Sequence, residues 1–257
     1  MLIHNFDPIA FKILNLNVYW YSLAYLFGFI FSLFYAKFLI KKGFIKINYS
    51  HFEDFISWAV IAVVLGGRLG YVFFYNFDFY INHPEEIIKI WKGGMSFHGG
   101  LCGLVISIYL FSRKTKINFI ELSNLVTACA PFGIFLGRIA NFINGELVGK
   151  PTNSDWGVLF IENDVIRHPS QLYEAFFEGF IIFFILFFLI KKNKHKSFNI
   201  FAVFFILYAI FRFFLEFLRE PDDHLGFIIF NLSMGQLLSI PMIILGILFL
   251  RKKNEGT

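Results

Sequence analysis

Seven stretches of this chain are each long and apolar enough to cross a lipid bilayer, and that property limits what it can fold into more than any other. A bilayer's hydrocarbon core takes about 20 mostly apolar residues of helix, and a backbone there must satisfy its own hydrogen bonds, as a helix does. The stretches lie at 19–40, 54–75, 94–112, 118–137, 171–190, 199–217 and 233–250. With 57% of its 257 residues hydrophobic and 39 of them phenylalanine, the chain is too apolar for a water-facing surface. The expectation is an all-α, polytopic membrane protein with seven transmembrane helices, forming one integral membrane domain over 1–257.

The charges between the runs orient them. Lys41, Lys42 and Lys46, then Arg113, Lys114 and Lys116, then Lys191, Lys192, Lys194 and Lys196, and finally Arg251, Lys252 and Lys253 follow spans one, three, five and seven. That puts thirteen basic residues on one side, against six on the other, Lys12, Lys89, Lys92, Lys150, Arg167 and Arg219. Basic loops stay in the cytoplasm, so the N-terminus is expected outside and the C-terminus inside. The net charge of +5 is distributed in these short clusters, not along one exposed face, which argues against nucleic acid as a partner. Cys102 and Cys129 both lie in apolar runs and offer neither a disulfide framework nor a paired-cysteine metal site. The first twenty residues lack the basic start, short apolar core and cleavage site of a signal peptide, so span one is expected to persist in the mature protein. Segment 148–170 carries turn residues, charges and a short strand-like run at 156–161, and reads as a small extracytoplasmic cap.

Orientation gives every polar residue a depth, because a helix rises about 1.5 Å per residue. Arg68 and Arg212 fall in the outer halves of spans two and six, Arg138 ends the outward-running span four, and His98 and Tyr21 begin spans three and one. All five lie outside the midplane. Charge within a bilayer is costly and usually faces a polar interior. Lys37 can snorkel to the cytoplasmic surface. Each arginine taken singly can be a structural ion pair, but three at one depth point to a site. Tyr208, Arg212, Glu216 and Arg219 follow one helical stripe; Glu216 either neutralises Arg212 or also touches a ligand. Arg138 and Asn141 share a helix face, and Asn144-Gly145 is a helix stop that turns Glu146 back toward the same cavity. Glycines on both sides of His98 allow irregular backbone and close approach there.

No nucleophile elbow, zinc-protease motif or metal-ligand spacing occurs among these residues, and no metal or cofactor is expected. Guanidinium groups suit bidentate phosphate binding, so a lipid phosphate in the outer leaflet is the natural ligand. Such cations can stabilise charge on a departing phosphate oxygen, and a histidine can take a proton from the attacking group. A transporter or channel for an anionic solute is the alternative. It predicts polar residues continuing through the cytoplasmic half, where this chain is nearly all Phe, Ile, Leu and Val.

The segment GRIANFINGELVG (137–149) satisfies a known signature at every position. Trp20-Tyr21, GGRLGYVFFYN (66–76), GGMSFHGGL (93–101), RHPSQLYE (167–174), YAIFRFFLEFLREPD (208–222) and SMGQ (233–236) follow in matching order. On these segments the chain resembles the bacterial prolipoprotein diacylglyceryl transferases over nearly its whole length. The resemblance implies seven spans in the bacterial inner membrane, with the N-terminus outside and the active site facing the outer leaflet. It implies transfer of the diacylglyceryl group of phosphatidylglycerol to the lipobox cysteine in the signal peptide of a preprolipoprotein, giving a thioether and glycerol phosphate, with membrane lipids as surroundings. Carried over by position, Arg138 and Arg212 bind the lipid phosphate, and Tyr21, Asn141, Glu146, Tyr208 and Glu216, with Arg68, line the site. His98 falls on the histidine proposed to assist thiol deprotonation, a step that cationic surroundings alone can also favour. The cap at 148–170 is shorter than in some members.

Overall fold

The computed structural model describes residues 2–14, 16–90, 93–160, 165–193, 199–221, 226 and 230–251, except for the side chains of Phe97 and His98. Among the described residues, seven long helices coincide with the seven apolar runs: α1 (Trp20–Lys41), α2 (Tyr49–Phe74), α4 (Phe97–Thr115), α5 (Phe119–Asn144), α6 (Ser170–Lys192), α7 (Ile200–Leu215) and α8 (Met234–Arg251). Five of these, α1, α2, α5, α6 and α8, are apolar over a full membrane thickness, and α7 is apolar but shorter. A short helix, α3 (Phe77–Asn82), follows α2. The protein is thus a mostly helical, polytopic membrane protein.

Differences from the sequence expectation have local causes. Helix α5 runs seven residues past the expected end of span four, because Arg138, Asn141 and Asn144 find partners on protein and not in lipid. It stops where expected: Gly145 adopts φ +71°, which only glycine takes without strain. Short strands also accompany the helices. A hairpin of β2 (Ile9–Ile13) and β3 (Leu16–Tyr19) leads into α1, and β1 (Leu2–His4) pairs in parallel with β4 (Val158–Phe160), which pairs with β5 (Val165–Arg167). The strand-like run in the cap is therefore real, and the N-terminus joins it. His4 bonds the carbonyl of Phe142 at 2.6 Å and stacks on Phe160, tying this small sheet to the end of α5.

The chain divides into two compact units. Residues 1–44 and 124–257 form the first. Within it α1 meets α5 where Gly28 faces Gly133, and Phe31 stacks on Phe132 at 3.8 Å. Helices α7 and α8 pack along each other, and the middle of α6, Ala175–Ile181, is wound as a π-helix. Residues 45–123 form the second unit, in which α2 crosses α4 through glycines. A methyl group on Gly70 would lie 2.7 Å from the Cα of Gly99, so the crossing requires small residues on both sides.

Candidate active site

The first unit carries an ion cluster built from three helices. Helix α6 contributes Glu174 and Glu178, one turn apart and both fully buried. Helix α5 contributes Arg138, whose Nη1 reaches Glu174 at 2.9 Å and whose Nη2 reaches Glu178 at 3.1 Å. Helix α7 contributes Arg212, whose Nη1 lies 2.7 Å from Glu174 and 3.6 Å from Glu178. Its Nη2 pairs with Glu216, just past the end of α7, at 2.7 Å. Arg219 adds a third guanidinium to Glu174 at 3.5 Å. A carboxylate sealed from water is tolerated only when paired and hydrogen-bonded; here Glu174 alone meets three cations. Tyr208, buried one turn before Arg212, lies within electrostatic reach of both arginines and both α6 glutamates.

Local sequence explains the assembly. Gly179 has no side chain to hold α6 away from α5: a methyl there would meet the backbone of Phe135 within 2.8 Å, close to Arg138 in the same helix. π-Helical turns recur at functional sites, and Glu178 sits in this one. Ser233 donates to the other oxygen of Glu216 at 3.0 Å, and a methyl on Gly235 would lie 2.9 Å from that carboxylate, so the segment SMGQ closes around Glu216. Gly149 lets the chain pass between His168 and Leu218, where backbone pairing joins the cap to the turn holding Arg219. Arg167 bonds Glu220 at 2.8 Å across the same junction.

The residues singled out from sequence are distributed as follows. Arg138, Arg212 and Glu216 join in the cluster, with Tyr208 beside it. Asn141 and Asn144 donate to the two oxygens of Glu146 at 3.2 and 3.1 Å, and Gln171 donates to its backbone carbonyl, so Glu146 does turn back onto α5. Tyr21, in the first turn of α1, lies edge-on to Tyr25 with ring centroids 5.2 Å apart. Arg68 and His98 belong to the second unit. Among the described residues, every hydrogen bond of Arg68 goes to a backbone carbonyl. His98 occupies the first turn of α4, and its side chain lies outside the described structure. Glu174 and Glu178 were not among the sequence candidates. The signal was present: two carboxylates four residues apart inside an apolar span, subject to the same cost argument as the arginines.

The cluster also has a direction. Arg138 and Arg212 keep 14% and 13% of their side-chain surface open, whereas Glu174 and Glu178 keep none. The open part of the cluster is thus formed by the two guanidinium groups, with Glu216 7% open beside Arg212. Fold and site together define a polytopic membrane protein whose buried, partly open guanidinium pair is suited to a phosphate-bearing substrate. More particularly, the chain belongs to the prolipoprotein diacylglyceryl transferase family, whose model matches residues 8–251. It is 49% identical over 257 residues to the phosphatidylglycerol–prolipoprotein diacylglyceryl transferase of Rickettsia akari (strain Hartford), covering 99% of each chain. It is 50% identical over 253 residues to the protein of that name from Ehrlichia ruminantium (strain Welgevonden), covering 96% of each.

Proposed function

We propose that this protein transfers the diacylglyceryl group of phosphatidylglycerol to the lipobox cysteine of preprolipoproteins. The thiol sulfur attacks the terminal glyceryl carbon, the bond from that carbon to the phosphate oxygen breaks, and its electron pair leaves with glycerol phosphate. The thiol proton passes to an acceptor, for which His98 is the candidate, and the product is a thioether. Arg138 and Arg212 hold the lipid phosphate and stabilise the charge it gains as it departs. Asn141, Glu146, Tyr208, Tyr21 and Glu216 line and orient the site. The protein works in the bacterial inner membrane with its N-terminus outside, its C-terminus in the cytoplasm and the site open to the outer leaflet.

The observation that carries this reading is the residual exposure of the two arginines above fully buried glutamates, set beside membership of the family. The anion-transport reading calls for polar lining toward the cytoplasm. Instead the cytoplasmic half of α6 and the start of α7 bury Ile182, Leu186, Ile190, Phe201 and Phe204.

Purified protein incubated with phosphatidylglycerol and a lipobox peptide should add one diacylglyceryl mass to the peptide. Arg138→Ala and Arg212→Ala should each lower the rate about 10²- to 10³-fold, the range seen when a charge-stabilising donor is removed. Undiminished yield from both variants would overturn the phosphate roles.

A further inference from the structure

Arg68 is almost fully buried, at 4% exposure, yet among the described residues the hydrogen-bond partners of its guanidinium are all uncharged. Nε donates to the carbonyl of Ile87 at 2.8 Å, Nη2 to those of Glu86 at 2.7 Å and Lys89 at 3.4 Å, and Nη1 to those of Gly93 and Gly94. Its remaining face lies over the ring of Tyr80, 5.1 Å from the centroid. Five carbonyls from one loop thus converge on one side chain of α2. A planar fork of donors can do this, and a lysine ammonium cannot.

The loop is shaped for that purpose. Gly93 and Gly94 both adopt positive φ, +82° and +76°, which turns consecutive carbonyls toward Nη1. Two residues later, the Ser96 amide donates to the carbonyl of Gly67, the neighbour of Arg68, at 2.8 Å. The Ser96 hydroxyl then caps α4 by accepting from the Gly99 amide at 3.2 Å. Two adjacent residues of α2 therefore set where α4 begins, and His98 lies in that first turn.

We infer that Arg68 is a positioning residue: its carbonyl clamp fixes the entry of α4 and, through it, the place of His98, and it does not itself hold the lipid phosphate. The inference rests on the proposed role of His98, and the two are tested separately.

The clamp is tested by hydrogen exchange on the full-length protein in detergent. Arg68→Met should speed exchange of the amides in 86–90 and 93–96 about tenfold, as local opening becomes easier, while α8 is unchanged. Gly94→Ala keeps the cation but is strained at φ +76° and crowds Arg68 Nη1 at 2.9 Å, so it should show the same signature if Arg68→Met fails to fold. Unaltered exchange in the folded variants overturns the clamp. The catalytic consequence is read as a split: kcat falls about 10²-fold on misplacement of a reacting group, while KM for phosphatidylglycerol stays within about threefold. A raised KM with unchanged kcat marks direct lipid contact and overturns the positioning role. Adding His98→Gln to Arg68→Met should cost no further activity, and multiplicative losses overturn the route through His98. A fully active His98→Gln enzyme overturns the proton-acceptor reading itself, and is recognised as such because the exchange result does not depend on activity.

Discussion

Glu174 is the residue on which the site turns. One oxygen pairs with Arg138 at 2.9 Å and the other faces Arg212 and Arg219, and the carboxylate is fully buried. Removing one partner of a buried ion pair leaves the other charge uncompensated, at a cost of about 3–5 kcal/mol. Glu174→Gln is therefore expected to lower the thermal midpoint in detergent more than Glu178→Gln, which faces two arginines; differential scanning fluorimetry checks the order. Ser233→Ala removes a hydrogen bond to a charged acceptor, in the range of about 1.5–3 kcal/mol, and loosens Glu216 from Arg212. Its transfer rate should fall while Glu146 and its two asparagines stay in place. At this scale the sequence was legible wherever cost could be assigned to a single residue in lipid. Arg138, Arg212 and Glu216 emerged that way. Glu174 and Glu178 obey the same rule, as two carboxylates one turn apart within an apolar run. That Arg68 turns inward to carbonyls could not be read, because its acceptors are backbone groups brought near by two left-handed glycines and carry no side-chain signature.

The decisive element is α6, whose π-wound middle carries Glu178 and packs against α5 through Gly179. Gly179→Ala inserts a methyl against the Phe135 backbone, and overpacking of this kind costs about 1–3 kcal/mol. Because the displaced contact lies beside Arg138, activity should drop together with thermal stability, and a rate assay beside a melting curve checks that both move. The long helices were readable from apolar runs because length and hydrophobicity are local properties. The β1–β4 pairing was not, because it joins residues more than 150 positions apart. The π-helical turns were equally hidden, being an adjustment of α6 to its neighbours.

For the whole molecule, the proposed orientation follows from which loops are basic. Leu14, at the hairpin tip and 96% exposed, and Lys42, just after α1, then lie on opposite sides of the membrane. In a Cys102→Ala background, Leu14→Cys should react with a membrane-impermeant maleimide in intact cells, whereas Lys42→Cys should react only after the membrane is opened. The reverse pattern would invert the topology.

The pairing of arginines with glutamates has a consequence for turnover. Three arginines, Arg138, Arg212 and Arg219, face three carboxylates, Glu174, Glu178 and Glu216, so under the proposed phosphate role the guanidinium groups a headgroup would use are already paired with internal carboxylates. On that reading the carboxylates are an internal competitive inhibitor, which an incoming headgroup would have to displace from the guanidinium pair. Ground-state affinity would be held down in this way, and only charge that grows during bond breaking would be favoured over the resident carboxylates. The same internal competitor would then retake the arginines once glycerol phosphate has formed, and clear the site for the next lipid.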